Sequence, residues 1–434
     1  MCVLRVDRPE MTTNAELTSH AQGCLYGNIS PAPIVMVRGR GCELYDADGR
    51  RWLDLCAGIA VCSLGHAHPA MVRAIAEQAA CVMHVSNHFY NEHSIMLASE
   101  LCRRTGFARA FFCNSGTEAV EALVKAARHY FFGLGDERRV RFVAFQQAFH
   151  GRTMGALALT ASPKYREGFG PLSPVTHVPF GDLGAVEQAM GPDVCGIVVE
   201  PIQGEGGVIP APEGFLSRLR EIADAHGTLL LVDEIQTGVG RLGRFLGSDG
   251  TGARPDAVAL AKGLAGGFPI GAMLTTDRLE GALPPGAHGS TFGGNALACA
   301  TARAVLRVIE EEKVIESVVA KGAALGSMLK GLASEMPELC EGARGEGLLW
   351  GLVLRPEVSV RAVLRGALDR GVLLTPAGDR VVRFTPPLII TLAELEEGVR
   401  AVRGALAELP SPAASSPLHG RPSPAGRGAN VRED

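Results

Sequence analysis

Lys262 ends an apolar run, Ala257-Val258-Ala259-Leu260-Ala261, and opens a glycine-rich stretch from Gly263 to Gly271. A strand that ends this way leaves one amine at the carboxyl edge of a sheet, where ligands of open α/β folds bind. An amine kept dry there loses part of its preference for the charged form and becomes a nucleophile toward a carbonyl. A second apolar run, Thr228-Leu229-Leu230-Leu231-Val232, ends in Asp233-Glu234-Ile235-Gln236. Asp233 reads either as the N-cap of a following helix or as a buried acid that needs a cationic partner. A pyridinium N–H is such a partner. A buried acid on one strand end and an amine on a later one are what a pyridoxal phosphate site requires.

Three further motifs carry chemistry of a compatible kind. Cys113-Asn114-Ser115-Gly116-Thr117-Glu118-Ala119 joins a strand to an apolar helix, Ala119 to Tyr130. The free N–H groups of such a helix start form a phosphate cradle, although the same residues also make a plain helix cap. In Phe149-His150-Gly151-Arg152 the aromatic side chain can lie flat on a ring and Arg152 offers a planar fork for a carboxylate. The alternative is a core phenylalanine and a surface arginine. Glu200-Pro201-Ile202-Gln203-Gly204-Glu205-Gly206-Gly207 places Glu205 where it can pair with an arginine or act as an acid or base. His288-Gly289-Ser290-Thr291-Phe292-Gly293-Gly294-Asn295 suits an anion, or is an ordinary loop before a helix. His66, His68, His84, His88 and His93 have no carboxylate or thiol at zinc-ligand spacing beside them, so no metal is expected.

The elements that must hold these residues are short apolar runs alternating with helical segments from about Arg109 to Ala272. Ala110–Phe112, Arg141–Phe145, Cys195–Val199, Thr228–Val232 and Asp256–Leu260 lack in–out alternation. They therefore read as strands covered on both faces of a mostly parallel sheet. The cradle, the Phe149 loop, the Glu205 loop, Asp233 and Lys262 close successive strands, which would bring them to one edge. Before this region, residues 34–62 read as a β-ribbon turning at Asp48-Gly49, and Pro69 opens a helix. After it come helices at Ala296–Ile315 and Val318–Leu332, a strand at Gly345–Leu354, a helix at Arg361–Asp369, a strand at Val381–Phe384 and a helix at Leu392–Leu406.

A chain of 434 residues exceeds one core. The expected division is an N-terminal extension (1–22), a small α+β domain (23–65 with 330–409), a large cofactor-binding domain (66–329) and a disordered tail (410–434) rich in Pro, Ser, Gly and Arg. A net charge of −4 supplies no field for nucleic acid or anionic lipid. No apolar stretch reaches the ~20 residues needed to span a bilayer. Eleven cysteines without a C-x-x-C pair fit a reduced, cytoplasmic chain.

In its motifs the sequence resembles the class III (ω-type) aminotransferases of pyridoxal-phosphate fold type I, from about Pro33 to Leu406. The carriers are Ala57-Gly58-Ile59-Ala60-Val61, Leu64-Gly65-His66-Ala67-His68-Pro69, the Asn114–Ala119 cradle, Ala148–Arg152, Val199–Gly207, Asp233–Gln236, Ala261-Lys262 and His288–Asn295. The resemblance implies that Lys262 bonds the cofactor aldehyde and shuttles the proton, Asp233 holds the ring nitrogen, Gln236 the ring hydroxyl, and Phe149 stacks on the ring. Ser115, Gly116 and Thr117 would bind the phosphate, with Thr291, and Ser290 beside it, reaching over from a second subunit of a homodimer. Arg152 would grip the donor carboxylate and Arg383 the α-carboxylate of 2-oxoglutarate, with Glu205 neutralising Arg383 in the amine half of a ping-pong cycle. The implied donor is N2-acetylornithine. Succinylornithine, ornithine, 4-aminobutyrate and N-succinyl-diaminopimelate are the alternatives.

Overall fold

The structure, a computed structural model, describes residues 12–409. The expected tail, 410–434, and the first eleven residues lie outside the described part. A helix, Asn14–Cys24, starts on a reciprocal cap between Thr13 and Glu16. Asn14 accepts from the Val35 N–H at 2.8 Å and donates to Asp48 at 3.0 Å, which seats this helix on the ribbon that follows.

That ribbon is an antiparallel meander of β1 (Met36–Arg40), β2 (Glu43–Asp46) and β3 (Arg51–Asp54). Asp46 closes its turn, accepting from the Arg50 N–H at 2.8 Å and the Trp52 indole at 2.9 Å. The ribbon stops at Asp54 and does not continue to residue 62. Ala57, Gly58, Ile59 and Ala60 instead form a left-handed turn, with φ of 47°, 62°, 67° and 60°. Such a turn is unfavourable for L-residues, most of all a β-branched one. Asp54 holds it, taking the Cys56 and Ala57 N–H groups at 2.9 and 2.7 Å.

The central sheet has seven strands: β4 (Arg109–Cys113), β5 (Arg141–Phe145), β6 (Val175–Val178), β7 (Val194–Val199), β8 (Leu229–Asp233), β9 (Ala257–Leu260) and β10 (Gly271–Thr275). Their order is β4-β10-β9-β8-β7-β5-β6. All run parallel except β10, which is antiparallel to both neighbours. Because β10 reverses between β4 and β9, those two point the same way, and the ends of β4, β5, β7, β8 and β9 share one edge. Every residue of β7, β8 and β9 is buried, as runs without alternation require when helices cover both faces. The fold is therefore the expected α/β architecture around a mainly parallel sheet.

Beyond the sheet, the helix Ala296–Glu311 ends earlier than its apolar pattern suggests. Lys313, at φ 50°, breaks the path before a longer helix, Val314–Glu335. The expected strand at 345–354 is a hairpin of β11 (Cys340–Glu346) and β12 (Leu349–Leu354) turning at Gly347, φ 54°. It continues through β13 (Val372–Leu373), β14 (Thr375–Ala377) and β15 (Val381–Phe384), with the second sheet ordered β11-β12-β15-β14. β13 leaves that sheet to pair in parallel with β3, Val372 opposite Leu53.

Candidate active site

A cavity of about 430 Å³ opens at the shared edge of the central sheet. Ser115, Gly116, Thr117, Phe149, Arg152, Glu205, Asp233, Gln236 and Lys262 line it. Arg383 lies just behind this wall, 1% exposed. Ser290 and Thr291 are not on it. Ser290 Oγ accepts from Asn114 Nδ2 at 3.0 Å, on the outer side of the cradle loop, and Thr291 is exposed.

Lys262 leaves β9 in a left-handed conformation, φ 44°, a strain that non-glycine residues carry mostly at functional sites. Burial pushes its amine down to about 8, with Glu205 pulling it up and Arg383 pushing it further down. A buried lysine of this kind has a neutral, nucleophilic fraction near neutral pH.

The cradle begins the helix Gly116–Gly133, capped by Ser115. Ser115 Oγ donates to Glu118 Oε2 at 2.8 Å, and the same carboxylate takes the Asn114 N–H at 3.0 Å. The capping reading is thus realised, and the capped helix start lines the cavity. The cap orders the loop, while the side-chain-free Gly116 keeps the helix start open. A Cβ there would lie 2.8 Å from Ile235 Cδ1. Gly151 is needed for a second reason: at φ 132° its Cβ would sit 2.3 Å from Thr117 Oγ1. Thr117 Oγ1 itself accepts from the Arg152 and Thr153 N–H groups at 3.2 and 3.3 Å, tying cradle and Phe149 loop together.

Asp233 is 4% exposed. Its Oδ1 accepts from the Ile235 N–H at 3.0 Å and its Oδ2 from His150 Nδ1 at 2.8 Å. Glu200, close by and buried, accepts from the Phe149 N–H at 3.3 Å. Burial pushes its carboxyl up to about 8, eased by His150 and reinforced by Asp233. Neither His150 nor Glu200 was singled out by the sequence as a site residue. The only trace of them was their place inside the motifs.

Arg152 lies over the ring of Tyr165, 3.8 Å from its centroid, and 5.6 Å from that of Phe149. Phe149 and Tyr165 meet edge to face at 5.9 Å. Nothing in the spacing had pointed to Tyr165. The Glu205 carboxylate pairs with Arg383 Nη1. Burial would raise the Glu205 carboxyl, but the Arg383 guanidinium overrides it and holds it below the usual carboxylate range. Gln236 bridges the two, donating to Glu205 at 3.4 Å and accepting from Arg383 at 3.4 Å. Arg383 is further fixed by the Gly204 carbonyl at 3.2 Å and Thr375 Oγ1 at 3.3 Å.

The residues fit a phosphorylated pyridine aldehyde. A helix start stripped of side chain opens on the cavity and suits an anion, an aromatic ring offers a flat face, and a fixed carboxylate and a depressed amine share one cavity. Comparison with known proteins agrees. The family model for class-III aminotransferases matches residues 26–406. The acetylornithine aminotransferase of Myxococcus xanthus is 44% identical, covering 91% of this chain and all of its own length. A Pseudomonas aeruginosa protein named succinylornithine transaminase/acetylornithine aminotransferase is also 44% identical, over 88% of this chain and 95% of its own. Among solved structures, the ornithine aminotransferase of Toxoplasma gondii is similar with a TM-score of 0.88 and 31% identity, covering 92% of this chain and 95% of that one. The fold and site are those of a pyridoxal-phosphate-dependent transaminase. The chain belongs to the class-III aminotransferase family.

Proposed function

We propose that the protein moves the distal (δ) amino group of N2-acetyl-L-ornithine to 2-oxoglutarate, giving N-acetyl-L-glutamate 5-semialdehyde and L-glutamate, as in arginine biosynthesis. The relatives named acetylornithine aminotransferase, matched over nearly their whole length, support this donor. The observation that carries the two-substrate cycle is the pairing of Glu205, on the cavity wall, with Arg383 just behind it. A carboxylate that can either cover or release an arginine lets one site take a donor amine and then a dicarboxylate.

In this reading bound pyridoxal phosphate supplies an electron-accepting ring that stabilises negative charge on the carbon losing its proton. Lys262 would hold the aldehyde end of the cofactor, and its amine would carry the proton to and from the reacting carbon of the substrate. That duty needs a neutral amine, which burial provides. Asp233, anchored through both oxygens, keeps the ring nitrogen protonated. Gln236 bonds the ring hydroxyl, and Phe149 covers one ring face. Ser115, Gly116 and Thr117 hold the phosphate. Arg152, backed by Tyr165, orients the donor by its carboxylate, leaving the distal amine at the reacting centre. Arg383 receives the α-carboxylate of 2-oxoglutarate once Glu205 turns aside.

The active assembly is a homodimer in this account, with Thr291 of the partner subunit completing the phosphate site beside Ser290 of the partner subunit. A surface around Ser290 and Thr291 supports this. Phe89, Tyr90 and Phe292 are 72%, 93% and 58% exposed there, a group of exposed aromatic side chains of the kind that marks an interface. The ribbon and β11–β15 act as a small domain (23–65 with 330–409) against a large one (66–329). The enzyme works in the cytoplasm, consistent with ten unpaired cysteines among the described residues.

The reading is tested by steady-state kinetics with 2-oxoglutarate and a panel of donors. N2-acetylornithine should give the highest kcat/KM. Equal or better turnover of 4-aminobutyrate would overturn the choice of donor. The Pseudomonas aeruginosa relative favours succinylornithine as a second substrate, and the same panel ranks it.

A further inference from the structure

A second cavity, of about 620 Å³, lies against the first and shares Phe149 and Glu205 with it as walls. Its wall is rich in charge, and no step of the scheme above uses its cations. Four of them, Lys164, Arg166, Arg344 and Arg380, face two acids, Glu205 and Asp379. Glu205 is already paired with Arg383. A concave wall with an excess of one sign collects ligands of the opposite sign.

The four cations are not equally free. Arg344 donates twice to the Gly207 carbonyl, at 3.1 and 2.9 Å, and Arg380 pairs with Glu341 at 2.6 Å. Lys164 lies over the Tyr165 ring, 4.9 Å from its centroid. Arg166 has no ion pair among the described residues, and its Nε is buried without a hydrogen-bond partner. Leaving a buried donor unpaired is unfavourable, and a long apolar side chain at 166 would carry no such penalty. His177 gives no relief. Its Nε2 bonds the Leu159 carbonyl at 3.1 Å, and burial together with the Arg166 guanidinium disfavours its charged form. Arg166 is thus the cation of this wall that still needs an acceptor.

The shape of the donor says what arrives here. In an N2-acylated ornithine the α-carbon carries both the carboxylate and the acyl arm, and the distal amine is at the other end. With that carboxylate on Arg152 and the amine at the reacting centre, the acyl arm points away from the first cavity, on the side where Arg152 stacks on Tyr165. Tyr165 is a wall of the second cavity, and Arg166 follows it in the chain. We propose that the second cavity is the subsite for the acyl arm, and that Arg166 selects donors whose acyl group ends in a carboxylate, such as a succinyl group. A guanidinium fork matches a carboxylate as it does not match an amide or a methyl group. An acetyl arm needs no such contact, so both kinds of donor are used, but the acidic arm alone engages Arg166. The proposal rests on an N2-acylated donor held by Arg152, and names the class of acyl group that this donor carries.

The test gives the holoenzyme 2-oxoglutarate and three donors: N2-acetylornithine, N2-succinylornithine and N2-succinamoylornithine. The terminal amide of the last copies the shape of the succinyl carboxylate without its charge. Wild-type enzyme should prefer the succinyl over the succinamoyl donor about tenfold in kcat/KM, through KM rather than kcat. That comparison needs no variant. Arg166→Gln should remove the preference, so that the two donors are used alike, and Arg166→Lys should keep part of it. Equal use of the two donors by the wild type, or a preference that survives Arg166→Gln, would overturn the subsite. A uniform loss on all three donors in Arg166→Gln would mark a structural role and overturn the selection by Arg166. If none of the three is turned over while 4-aminobutyrate is, the acylated-donor reading itself falls, and this inference with it.

Discussion

The carboxylate of Glu205 and the guanidinium of Arg383 meet across 178 residues of chain, one on the cavity wall and the other almost wholly buried behind it. The pair is asymmetric. Arg383 is 1% exposed and Glu205 25%, so the acid is the partner free to move. Glu205→Gln keeps the shape but removes the charge that covers Arg383. The variant should bind 2-oxoglutarate with a lower KM, while the amine half-reaction, followed alone by single-turnover absorbance, slows about tenfold. That loss corresponds to ~1.4 kcal/mol of barrier. Parallel changes in both half-reactions would remove Glu205 from any switching role.

Lys262 gives a pH-dependent prediction. Its folded pKa is about 8, against ~10.4 for an unfolded lysine. Between those values the unfolded chain holds the extra proton. The cofactor-free fold should therefore gain stability as pH rises across that window and lose it as pH falls through about 8. The rate at which cofactor-free protein captures pyridoxal phosphate should follow the neutral amine, with a midpoint near 8. A stopped-flow pH profile measures it. A midpoint near that of a free lysine would mean that the amine is not held in the dry site described.

Arg152 combines a charge with a flat surface, lying 3.8 Å from the Tyr165 ring centroid. Arg152→Lys keeps the charge but loses both the fork and the stacking. The KM for the acylated donor should rise about tenfold, with kcat changing less than threefold. Unchanged donor KM would exclude Arg152 from carboxylate binding.

Much of this site was legible before any coordinates because its parts announce themselves locally. Runs buried on both faces must be apolar throughout, so β5, β7, β8 and β9 stood out, and each ends in a residue with chemistry. β6 was missed because Val175-Thr176-His177-Val178 lies at the sheet edge and is half polar. β10 was missed because it begins at Gly271, directly after a glycine-rich loop, and so read as more loop. The Asp233–His150 contact spans 83 residues, and no spacing rule connects them. The break at Lys313 has neither glycine nor proline to mark it. Contacts made by tertiary packing were invisible for the same reason in every case: the sequence orders residues along the chain, and the fold pairs them across it.

The account turns on the bond between Lys262 and the cofactor aldehyde. Purified holoenzyme is reduced with borohydride, digested and analysed by mass spectrometry. The predicted result is one phosphopyridoxyl addition, on the peptide that carries Lys262, with none left in a Lys262→Ala variant that still folds and binds the cofactor. Addition at a different lysine, or undiminished amine transfer by Lys262→Ala, would contradict it.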